Sequence, residues 1–566
     1  MPEYQLYMYG LQAMWVVFIF ALGACVGSLI NVLVYRLPLG LSVVTPPSRC
    51  PACETRLSWR DNIPIFGWIV LRGRCRYCRS AISPEYPLVE LLVALLFAAF
   101  FVLWYIVPNN AVWLDVQWGA IKPEWARPDV FFGWPRDTWP IFIVLLALLG
   151  ALVAMTIVDA KTFTIPLELP WFATAVALVF HVGYAAYLSS TGGRLPQAAF
   201  GTAWAIPLPG WNGRGLISPE VSSWWLGASF GGTLGLVIAN VLLAARLIPR
   251  SFADYDEWEH RVRAEAKAQR ANAPGVPAPM AEPRLDAESP VAIEPAATPA
   301  STAGDHAAVW RGLKAAALAA AVFATLAAAG AWLGPAMNLP KWSGLLAGAL
   351  LAPFIYAVAA RLMESSAHAH SNADADSTAA AAQPGIPSDG DELPPDMWIR
   401  YPHARREVLK EVLFLAPSIL LAFIGGWLFQ SWLSSRPVAP ALWIMVAGGV
   451  LQGYLVAGAI VWGVRILGTL GFGKEAMGLG DVHLLAAVGA CIGWVDAALA
   501  FPLAAVVGLY WVFVSVVRTG GTPRAMPFGP YLAAATLLVI VCKPLCERGL
   551  NWLLPPLLGQ LPINLP

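Results

Sequence analysis

Long apolar segments constrain this fold more than any other feature of the sequence. Several exceed the roughly 20 apolar residues that a helix needs to cross about 30 Å of hydrocarbon. Hydrophobic residues make up 58% of the 566 residues and charged residues only 13%, an apolar excess that soluble domains rarely carry. The sequence therefore predicts an all-α polytopic membrane protein with about 10–12 transmembrane helices, in contact with membrane lipid.

Length and periodicity place the candidate spans along the chain. They cover approximately residues 14–34, 88–107, 140–158, 171–188, 223–247, 309–334, 343–362, 412–433, 441–466, 482–500, 502–518 and 531–549. Pro502 is the only punctuation between two consecutive spans, and we place their boundary there. Gly227, Gly231 and Gly235 repeat at four-residue spacing, which predicts close helix packing on one face.

Basic residues set the expected orientation. No lysine or arginine precedes Arg36, and eight arginines occur from Arg36 to Arg79. The positive-inside rule therefore predicts a cytoplasmic segment at 36–86 and an N-terminus outside. The first apolar run lacks the basic region and cleavage site of a signal peptide, so we expect it to remain as a helix. The net charge of +1 gives no reason to expect a nucleic-acid partner.

Four cysteines in this cytoplasmic segment form two C-x-x-C pairs. Cys50 and Cys53 precede Cys75 and Cys78, with residues 54–74 between the pairs. This spacing is typical of a tetrahedral zinc site made by four thiolates. Disulfides are the alternative, and a reducing cytoplasm disfavours them. Because four thiolates leave no open position for a reacting water, we predict a structural zinc ion.

Two aspartates stand at the ends of predicted spans. Asp159 follows the span at 140–158, and Asp481 closes the motif Gly478-Leu479-Gly480-Asp481 and opens the next helix. The predicted topology puts both at the same face and at a similar depth. Ionisable groups at membrane depth are costly and often functional, and two adjacent carboxylates that share a proton supply an acid and a base together. The glycines at 478 and 480 would let a substrate backbone approach closely.

Simpler explanations remain open for both aspartates. Each is also compatible with an interfacial or N-capping residue at a membrane boundary, and a bare G-x-G-D pattern is weak on its own. A function of another class fits as well, namely a non-enzymatic transporter or assembly scaffold in which the aspartates bind an ion or a proton. A peptidase would shorten a protein substrate, whereas a scaffold would leave its mass unchanged.

The motifs taken together resemble a known family. In the N-terminal part they are Gly27-Ser28-Leu29-Ile30-Asn31, Tyr35-Arg36-Leu37-Pro38, the cysteine loop, Asn62-Ile63-Pro64 and Pro87-Leu88-Val89-Glu90. In the C-terminal part they are Gly473-Lys474-Glu475-Ala476-Met477-Gly478-Leu479-Gly480-Asp481 and Pro527-Phe528-Gly529-Pro530. Over about 14–107, 140–175 and 441–535, this order resembles the type IV prepilin peptidases, which are intramembrane G-x-G-D aspartyl proteases.

The resemblance implies an endopeptidase of the bacterial inner membrane. Such enzymes remove the basic leader of prepilins or pseudopilins at the cytoplasmic face, for type IV pili or type II secretion. Asp159 and Asp481 match the catalytic pair. The motif residues expected to serve the substrate are Lys474, Glu475, Gly478, Gly480 and His483. Many members also methylate the new N-terminus from S-adenosylmethionine, and the residues linked to that activity are Gly27, Ser28, Asn31 and Arg36.

Three departures from the family pattern stand out. His483 occupies a position where lysine is usual, Leu167 replaces an acidic residue, and residues 190–440 have no counterpart. His483 either makes the site responsive to pH, since imidazole titrates near neutrality, or is a solvated boundary residue. A basic leader requires local negative charge, and the nearest acidic candidates are Glu54, Asp61, Glu85, Glu90 and Glu475.

The sequence predicts five parts. They are the first transmembrane helix at 1–36, a cytoplasmic zinc-binding domain at 37–86, membrane helices with the first aspartate at 87–248, an insert at 249–440, and peptidase helices with the G-x-G-D motif at 441–566. Within the insert, residues 251–308 and 364–396 are rich in alanine, proline and charged or small polar residues. Such compositions bury too little apolar surface to fold, so we predict linkers there.

Overall fold

The computed structural model describes most of the predicted bundle and the cysteine loop. The described residues are 3–45, 47–50, 52–108, 110–113, 116–117, 139–191, 207–209, 219–253, 258, 261, 403–434, 440–473, 475–519 and 526–553. The spans predicted at 309–334 and 343–362, the linker at 364–396 and nearly all of the linker at 251–308 lie outside them. Two compact units are distinguished, Met1–Ile238 with Leu415–Pro566, and Ala239–Phe414.

The described chain is almost entirely helical. Its helices are α1 (Glu3–Arg36), α2 (Phe66–Val70), α3 (Glu85–Phe101), α4 (Trp139–Thr162), α5 (Glu168–Thr191), α6 (Pro219–Ala244), α7 (Ala404–Ser434), α8 (Leu442–Phe472), α9 (Leu479–Ile492), α10 (Trp494–Thr519) and α11 (Gly529–Leu553). A π-helical turn, Val102–Ile106, extends α3, and the strands β1 (Val112–Trp113) and β2 (Val116–Gln117) pair antiparallel. Among the described residues, eight helices are long and apolar enough to cross a membrane, which confirms the predicted polytopic class.

The boundary predicted at Pro502 is wrong. Pro502 lies inside α10, whereas the chain turns between α9 and α10 at Gly493, which has a φ of 95°. Glycine alone adopts such a conformation without a steric penalty, so it ends the helix. A proline is tolerated in a membrane helix because neighbouring groups satisfy the freed carbonyl. As a result α9 has only 14 residues, fewer than a helix needs to cross the bilayer.

Helix α4 lies at the centre of the bundle. Its side chains are apolar on every face and most of them are buried, from Ile141 to Val158. A helix of this composition is stable only where neighbours surround it. Helices α1, α5, α9 and α11 pack against α4, so the last turn of α4, which carries Asp159, is enclosed by other elements.

Helices α1 and α3 form an antiparallel pair that we call the first hairpin. A Cβ added at Gly23 or Gly27 would come within 2.7 or 2.6 Å of the α3 backbone. Small residues at four-residue spacing permit this approach of two helices. Further along, the Asn31 side chain donates a hydrogen bond to the Tyr86 carbonyl (3.0 Å). The first hairpin therefore holds the two ends of the cysteine loop together.

Helices α6 and α7 form a second hairpin with the same kind of contact. A Cβ at Gly227, Gly231 or Gly235 would lie 2.2, 2.0 or 2.2 Å from carbonyl oxygens of α7. The partners follow each other in reverse order along α7, so the two helices are antiparallel. This contact confirms the close packing predicted from the glycine spacing.

Glu407 fixes the turn after α6 in the unit Ala239–Phe414. Its carboxylate accepts a hydrogen bond from the backbone N–H of Phe252 (2.6 Å) and pairs with Lys410 (2.6 Å). Glu407 is only 2% exposed, and Phe252 has a φ of 52°. Because a buried carboxylate is tolerated only when it is paired, these contacts hold the chain where it leaves α6.

Candidate active site and metal centre

Asp159 lies in the last turn of α4. It is 6% exposed, and its Oδ2 accepts a hydrogen bond from the backbone N–H of Gly529 (2.9 Å) at the start of α11. A Cβ on Gly529 would lie 2.6 Å from the same oxygen, so this approach requires glycine. Just beyond Asp159, α4 ends at a left-handed Phe163 with a φ of 53°. The carboxylate is thus fixed where two helices meet.

Asp481 lies in the first turn of α9 and is 9% exposed. The backbone N–H of Gly478 donates a hydrogen bond to its carboxylate. The partial positive charge of a helix N-terminus also favours an acidic residue there. Asp481 and Asp159 interact electrostatically, although they are far apart in the sequence. The structure therefore brings together the two aspartates that the motifs single out.

The turn between α4 and α5 packs onto the start of α9. A Cβ on Gly480 would lie 2.7 Å from the Cβ of Ile165. Gly480, which the motif assigned to substrate approach, therefore makes room for the chain's own Ile165. Gly478 is exposed, and its nearest neighbouring atoms are 3.7 Å or more from an added Cβ, so a substrate backbone can approach there. Lys474, predicted to serve the substrate, lies outside the described residues.

A buried arginine lies near Asp481. Arg465 of α8 is 1% exposed, pairs with the Glu475 carboxylate and donates to the Met477 carbonyl. It also interacts electrostatically with Asp481. Sequence patterns did not single out this residue, although the signal was present: Arg465 is the single charged residue of α8. Charges at membrane depth are rare unless they are paired or functional.

His483, two residues after Asp481 in the sequence, belongs to a polar network. Its Nδ1 is 2.8 Å from the hydroxyl of Tyr454 in α8, and the Trp171 ring of α5 packs edge-on against it at 6.4 Å between centroids. The Trp171 side chain also hydrogen-bonds Tyr454. The expectation of a solvated boundary histidine is therefore wrong, because His483 is partly buried and joins three helices.

Besides Glu475, which pairs with Arg465, two further acidic candidates for leader binding have cationic partners within the chain. The Asp61 side chain is 1% exposed and accepts a charge-assisted hydrogen bond from Arg76 (2.6 Å). That bond holds the pKa of Asp61 below its ordinary value. Glu85, at the start of α3, pairs at the surface with Lys161, at the end of α4. Much of their charge is therefore balanced inside the protein.

The four predicted ligand cysteines converge on one point. The sulfurs of Cys50, Cys53, Cys75 and Cys78 lie within 4.8 Å of one another, and those of Cys50 and Cys78 are 3.9 Å apart. Four sulfurs at about 2.3 Å from one tetrahedral ion would be separated by about 3.8 Å. All four are free thiols. The cluster can therefore hold a metal ion.

Each C-x-x-C pair is shaped by a tight turn. The turns close at Glu54 and Arg79, whose φ values of 53° and 62° are left-handed. In the first turn, hydrogen bonds from the backbone of Cys53 and Ala52 lower the pKa of the Cys50 thiol to about 6. A lowered thiol pKa favours the thiolate, which is the form that binds a metal. The first turn therefore favours the thiolate at Cys50, the form in which this residue would bind a metal.

Glu90 ties the cysteine loop to the first hairpin. The residue is 9% exposed, and its carboxylate accepts a hydrogen bond from the backbone N–H of Ile65 (2.6 Å). The Ser28 hydroxyl donates to the same carboxylate. Ile65 has a φ of 63°, so the loop adopts an unusual backbone conformation at the contact. One buried carboxylate thus joins α1, α3 and the loop between them.

The α1 residues linked by resemblance to methyl transfer all lie in the first hairpin. Gly27 and Asn31 contact α3, and Ser28 bonds Glu90. Arg36 donates to two carbonyls of the following turn, at 2.9 and 3.1 Å. These contacts account for the packing of the hairpin. Binding of S-adenosylmethionine by these residues stays a prediction.

Known proteins resemble parts of this chain. Residues 21–104 match the family model "Bacterial Peptidase A24 N-terminal domain". A "Prepilin leader peptidase/N-methyltransferase" of Myxococcus xanthus (strain DK1622) is 37% identical over 173 residues, covering 30% of this chain and 42% of the relative. A protein of the same name from Pectobacterium carotovorum subsp. carotovorum is 32% identical over 182 residues, covering 28% and 54%.

These matches confirm the resemblance that the motifs predict. A "Type 4 prepilin-like proteins leader peptide-processing enzyme" of Escherichia coli O78:H11 (strain H10407 / ETEC) is 33% identical over 141 residues, covering 19% of this chain and 49% of the relative. The chain spans about half the length of the curated relatives it matches. No solved structure matches it. Together with the eight apolar helices, the matches indicate a bacterial multi-pass membrane protein.

Proposed function

We propose that this chain, a relative of the type IV prepilin peptidases, is an intramembrane aspartyl endopeptidase that removes the leader from prepilins or pseudopilins. The observation that carries the proposal is the pair of Asp159 and Asp481. Both carboxylates are buried, and they interact across the adjoining ends of α4 and α9. The relatives' names supply the reaction, and the pair supplies groups able to perform it.

Two carboxylates at one site hydrolyse a peptide bond by sharing a proton. The ionised acid takes a proton from a water molecule as that water attacks the peptide carbonyl, and the protonated acid donates to the developing oxyanion. The leaving amine then receives a proton from the pair. Backbone N–H groups of Gly529 and Gly478 fix the two side chains. Fixed geometry of this kind lowers the barrier because no reorganisation is needed during the reaction.

We assign the aspartates to the cytoplasmic face of the inner membrane. Lys161 lies two residues beyond Asp159 and pairs with Glu85, which directly follows the arginine-rich cysteine loop. The loop and the site therefore share a face, and the positive-inside rule places that face in the cytoplasm, with the N-terminus outside. A prepilin presents a basic leader on this side and an apolar helix in the bilayer, so its cleavage site would reach both aspartates.

The zinc ion that this loop would bind is proposed to have a structural role. Cys50, Cys53, Cys75 and Cys78 would supply all four ligands of a zinc ion, which leaves no position for a reacting water. The ion would stabilise the loop at 37–86, and Glu90 would transmit that order to α1 and α3. In this division of labour the helices at 87–248 and 441–566 carry the peptidase, and the insert at 249–440 has no part in the chemistry.

Methylation of the new N-terminus is a second candidate activity, favoured by the names of the relatives. S-adenosylmethionine would supply the methyl group, and the residues of α1 named above are its predicted site. The two activities separate in one assay, because methylation adds mass to a product that cleavage has already shortened. A product whose mass equals that of the cleaved, unmethylated peptide would support the peptidase activity without methylation.

The proposal is tested by incubating the purified full chain with a peptide that carries a basic leader and an apolar helix. Mass spectrometry should show a shortened product for the wild type and none for Asp159→Asn or Asp481→Asn. Asp496→Asn is the matched control, because Asp496 is also buried but lies beyond the far end of α9. Cleavage that survives either Asn variant would refute the pair, and an unchanged substrate with the wild type would favour the scaffold.

A further inference from the structure

The buried charge of Arg465, near the proposed site, requires a physical reason. The residue is 1% exposed within an otherwise apolar helix, and burying a guanidinium carries a large desolvation penalty unless strong partners compensate it. Its partners are the Glu475 carboxylate and the Met477 carbonyl. Both belong to the short segment that leads from α8 into the Gly478-Leu479-Gly480-Asp481 motif.

The geometry of a guanidinium suits this arrangement. Its five N–H donors form a rigid planar fork that can serve a carboxylate and a carbonyl at once. The segment that it holds begins at Gly473, the left-handed end of α8 with a φ of 70°, and ends at Gly478, whose N–H donates to Asp481. Arg465 is thereby connected to the position of Asp481 through only a few residues of backbone.

The positive charge also acts on Asp481 directly, since the two interact electrostatically. The other charged groups that the described contacts place around Arg465 and Asp481 are Asp159 from α4 and Glu475 from the segment after α8. His483, on α9 itself, contacts Tyr454 instead. A fixed cation beside two acids that share a proton favours the ionised form of the nearer acid. Glu475 balances part of that charge.

We propose that Arg465 is a positioning residue of the peptidase site, which holds the segment before the G-x-G-D motif and offsets part of the cost of a negative charge on Asp481. The inference rests on the proposed peptidase function. It assigns two separable effects to one side chain: a mechanical effect, through the bonds to Glu475 and Met477, and an electrostatic effect, through the charge itself. A residue that only filled space would have the first effect at most.

Variants of the full chain separate the two effects in the leader-cleavage assay. Arg465→Gln removes both, and should lower kcat by about 100-fold, the loss expected for a misplaced catalytic group, and shift the acidic limb of the pH profile upward by about 1 unit. Arg465→Lys keeps the charge without the fork, so kcat should fall while the pH profile stays near that of the wild type. Glu475→Gln should likewise lower kcat, and KM should change little in all three.

The control is Arg518→Gln, at an exposed residue at the end of α10, which should leave kcat and the pH profile unchanged. If Arg465→Gln has a melting temperature well below that of the wild type, the inference is tested instead with Arg465→Lys and Glu475→Gln. Their kcat is then measured on protein that melts at the wild-type temperature. Wild-type kcat in those variants would overturn the inference and leave the peptidase intact. A wild type that does not cleave would overturn the peptidase itself.

Discussion

The first and second hairpins are built alike and differ in what they carry. Each pairs two antiparallel helices through glycines at four-residue spacing. In each, a buried glutamate of the second helix accepts a 2.6 Å hydrogen bond from a residue of positive φ in the joining segment: Glu90 from Ile65, and Glu407 from Phe252. The first joins its helices through a four-cysteine loop, whereas no cysteine occurs between α6 and α7.

The comparison indicates that paired helices of this kind serve as structural supports. What each hairpin contributes then depends on the segment that joins its helices and on the elements it contacts. The match to the family model covers the first hairpin and its loop, and Lys161 joins that hairpin to the helix of Asp159. The second hairpin meets the bundle through Leu226, which packs against Gly448 of α8. The same kind of helix hairpin can therefore support a four-cysteine loop in one place and contact a helix of the bundle in another.

Metal removal should separate the two hairpins most sharply. A structural zinc ion contributes about 10–16 kcal/mol in small zinc-binding domains, so a strong chelator should unfold the cysteine loop. Limited trypsin digestion, read by mass spectrometry, should then show new cuts at Arg72 and Arg74, whereas cutting at Arg246 and Arg250, which are exposed after α6, should not change. Added zinc should restore protection at Arg72 and Arg74, and cutting there that does not depend on the metal would show that the metal does not hold the loop.

Alanine at the helix contacts should destabilise both hairpins. At Gly231 a Cβ would lie 2.0 Å from a carbonyl oxygen, and at Gly27 it would lie 2.6 Å from the α3 backbone. Forced separation of packed elements costs about 1–3 kcal/mol, so both variants should melt earlier, Gly231→Ala more so. Gly183→Ala is the matched control: a Cβ there meets nothing within 4 Å, and the better helix propensity of alanine should stabilise by up to about 1 kcal/mol.

Replacing Glu90 and Glu407 tests whether these two buried carboxylates stabilise their hairpins equally. Glu90→Ala and Glu407→Ala each leave a backbone N–H without its acceptor, which costs about 1–2 kcal/mol. Both should lower the melting temperature by similar amounts, and the corresponding Gln variants should recover part of the loss. Only Glu90→Ala should accelerate metal release to a chelator. Faster metal release in Glu407→Ala as well would contradict separate roles for the two glutamates.

The smallest effect is expected within the cysteine loop. Arg76 is half exposed, so Arg76→Gln should destabilise the loop only slightly at neutral pH. Because Arg76 lowers the pKa of Asp61, this stability is fully present above the ordinary aspartate pKa of about 3.9 and is lost as the pH falls through the lowered value. The melting difference between variant and wild type should therefore shrink below about pH 4, and a difference independent of pH would refute this cause.

Much of the architecture follows from local sequence patterns. Apolar runs predict the long helices because burial in lipid is decided by composition over about 20 residues. The C-x-x-C spacing predicts the cysteine cluster because two ligands per turn must converge on one ion. The aspartates could be singled out from their place at span ends, and the family motifs paired them. These features are encoded within a few residues of one another.

The features that sequence did not predict depend on contacts between distant segments. Gly493 ends α9 through backbone conformation, which hydropathy does not record, so the boundary was placed at Pro502. Gly480 accommodates Ile165 only because the turn after α4 reaches α9. Arg465 was not singled out, because its pairing with Glu475 depends on how the segment after α8 folds back. Such roles are set by packing in three dimensions.

The central claim is that Asp159 and Asp481 meet at one site, and cross-linking tests it most directly. Asp159→Cys and Asp481→Cys would be combined in a chain whose membrane-helix cysteines, Cys25, Cys491, Cys542 and Cys546, are replaced by alanine. A short bifunctional thiol reagent should join the two positions, so that protease cleavage within the insert no longer separates the halves on a denaturing gel.

The control pairs Asp159→Cys with Asp496→Cys, which lies beyond the far end of α9. That helix has 14 residues and rises about 1.5 Å per residue, so the control positions are too far apart for the same reagent. Efficient joining of 159 to 481 with little joining of 159 to 496 is the predicted result. Equal or lower yields for 159 and 481 would contradict a shared site for the two aspartates.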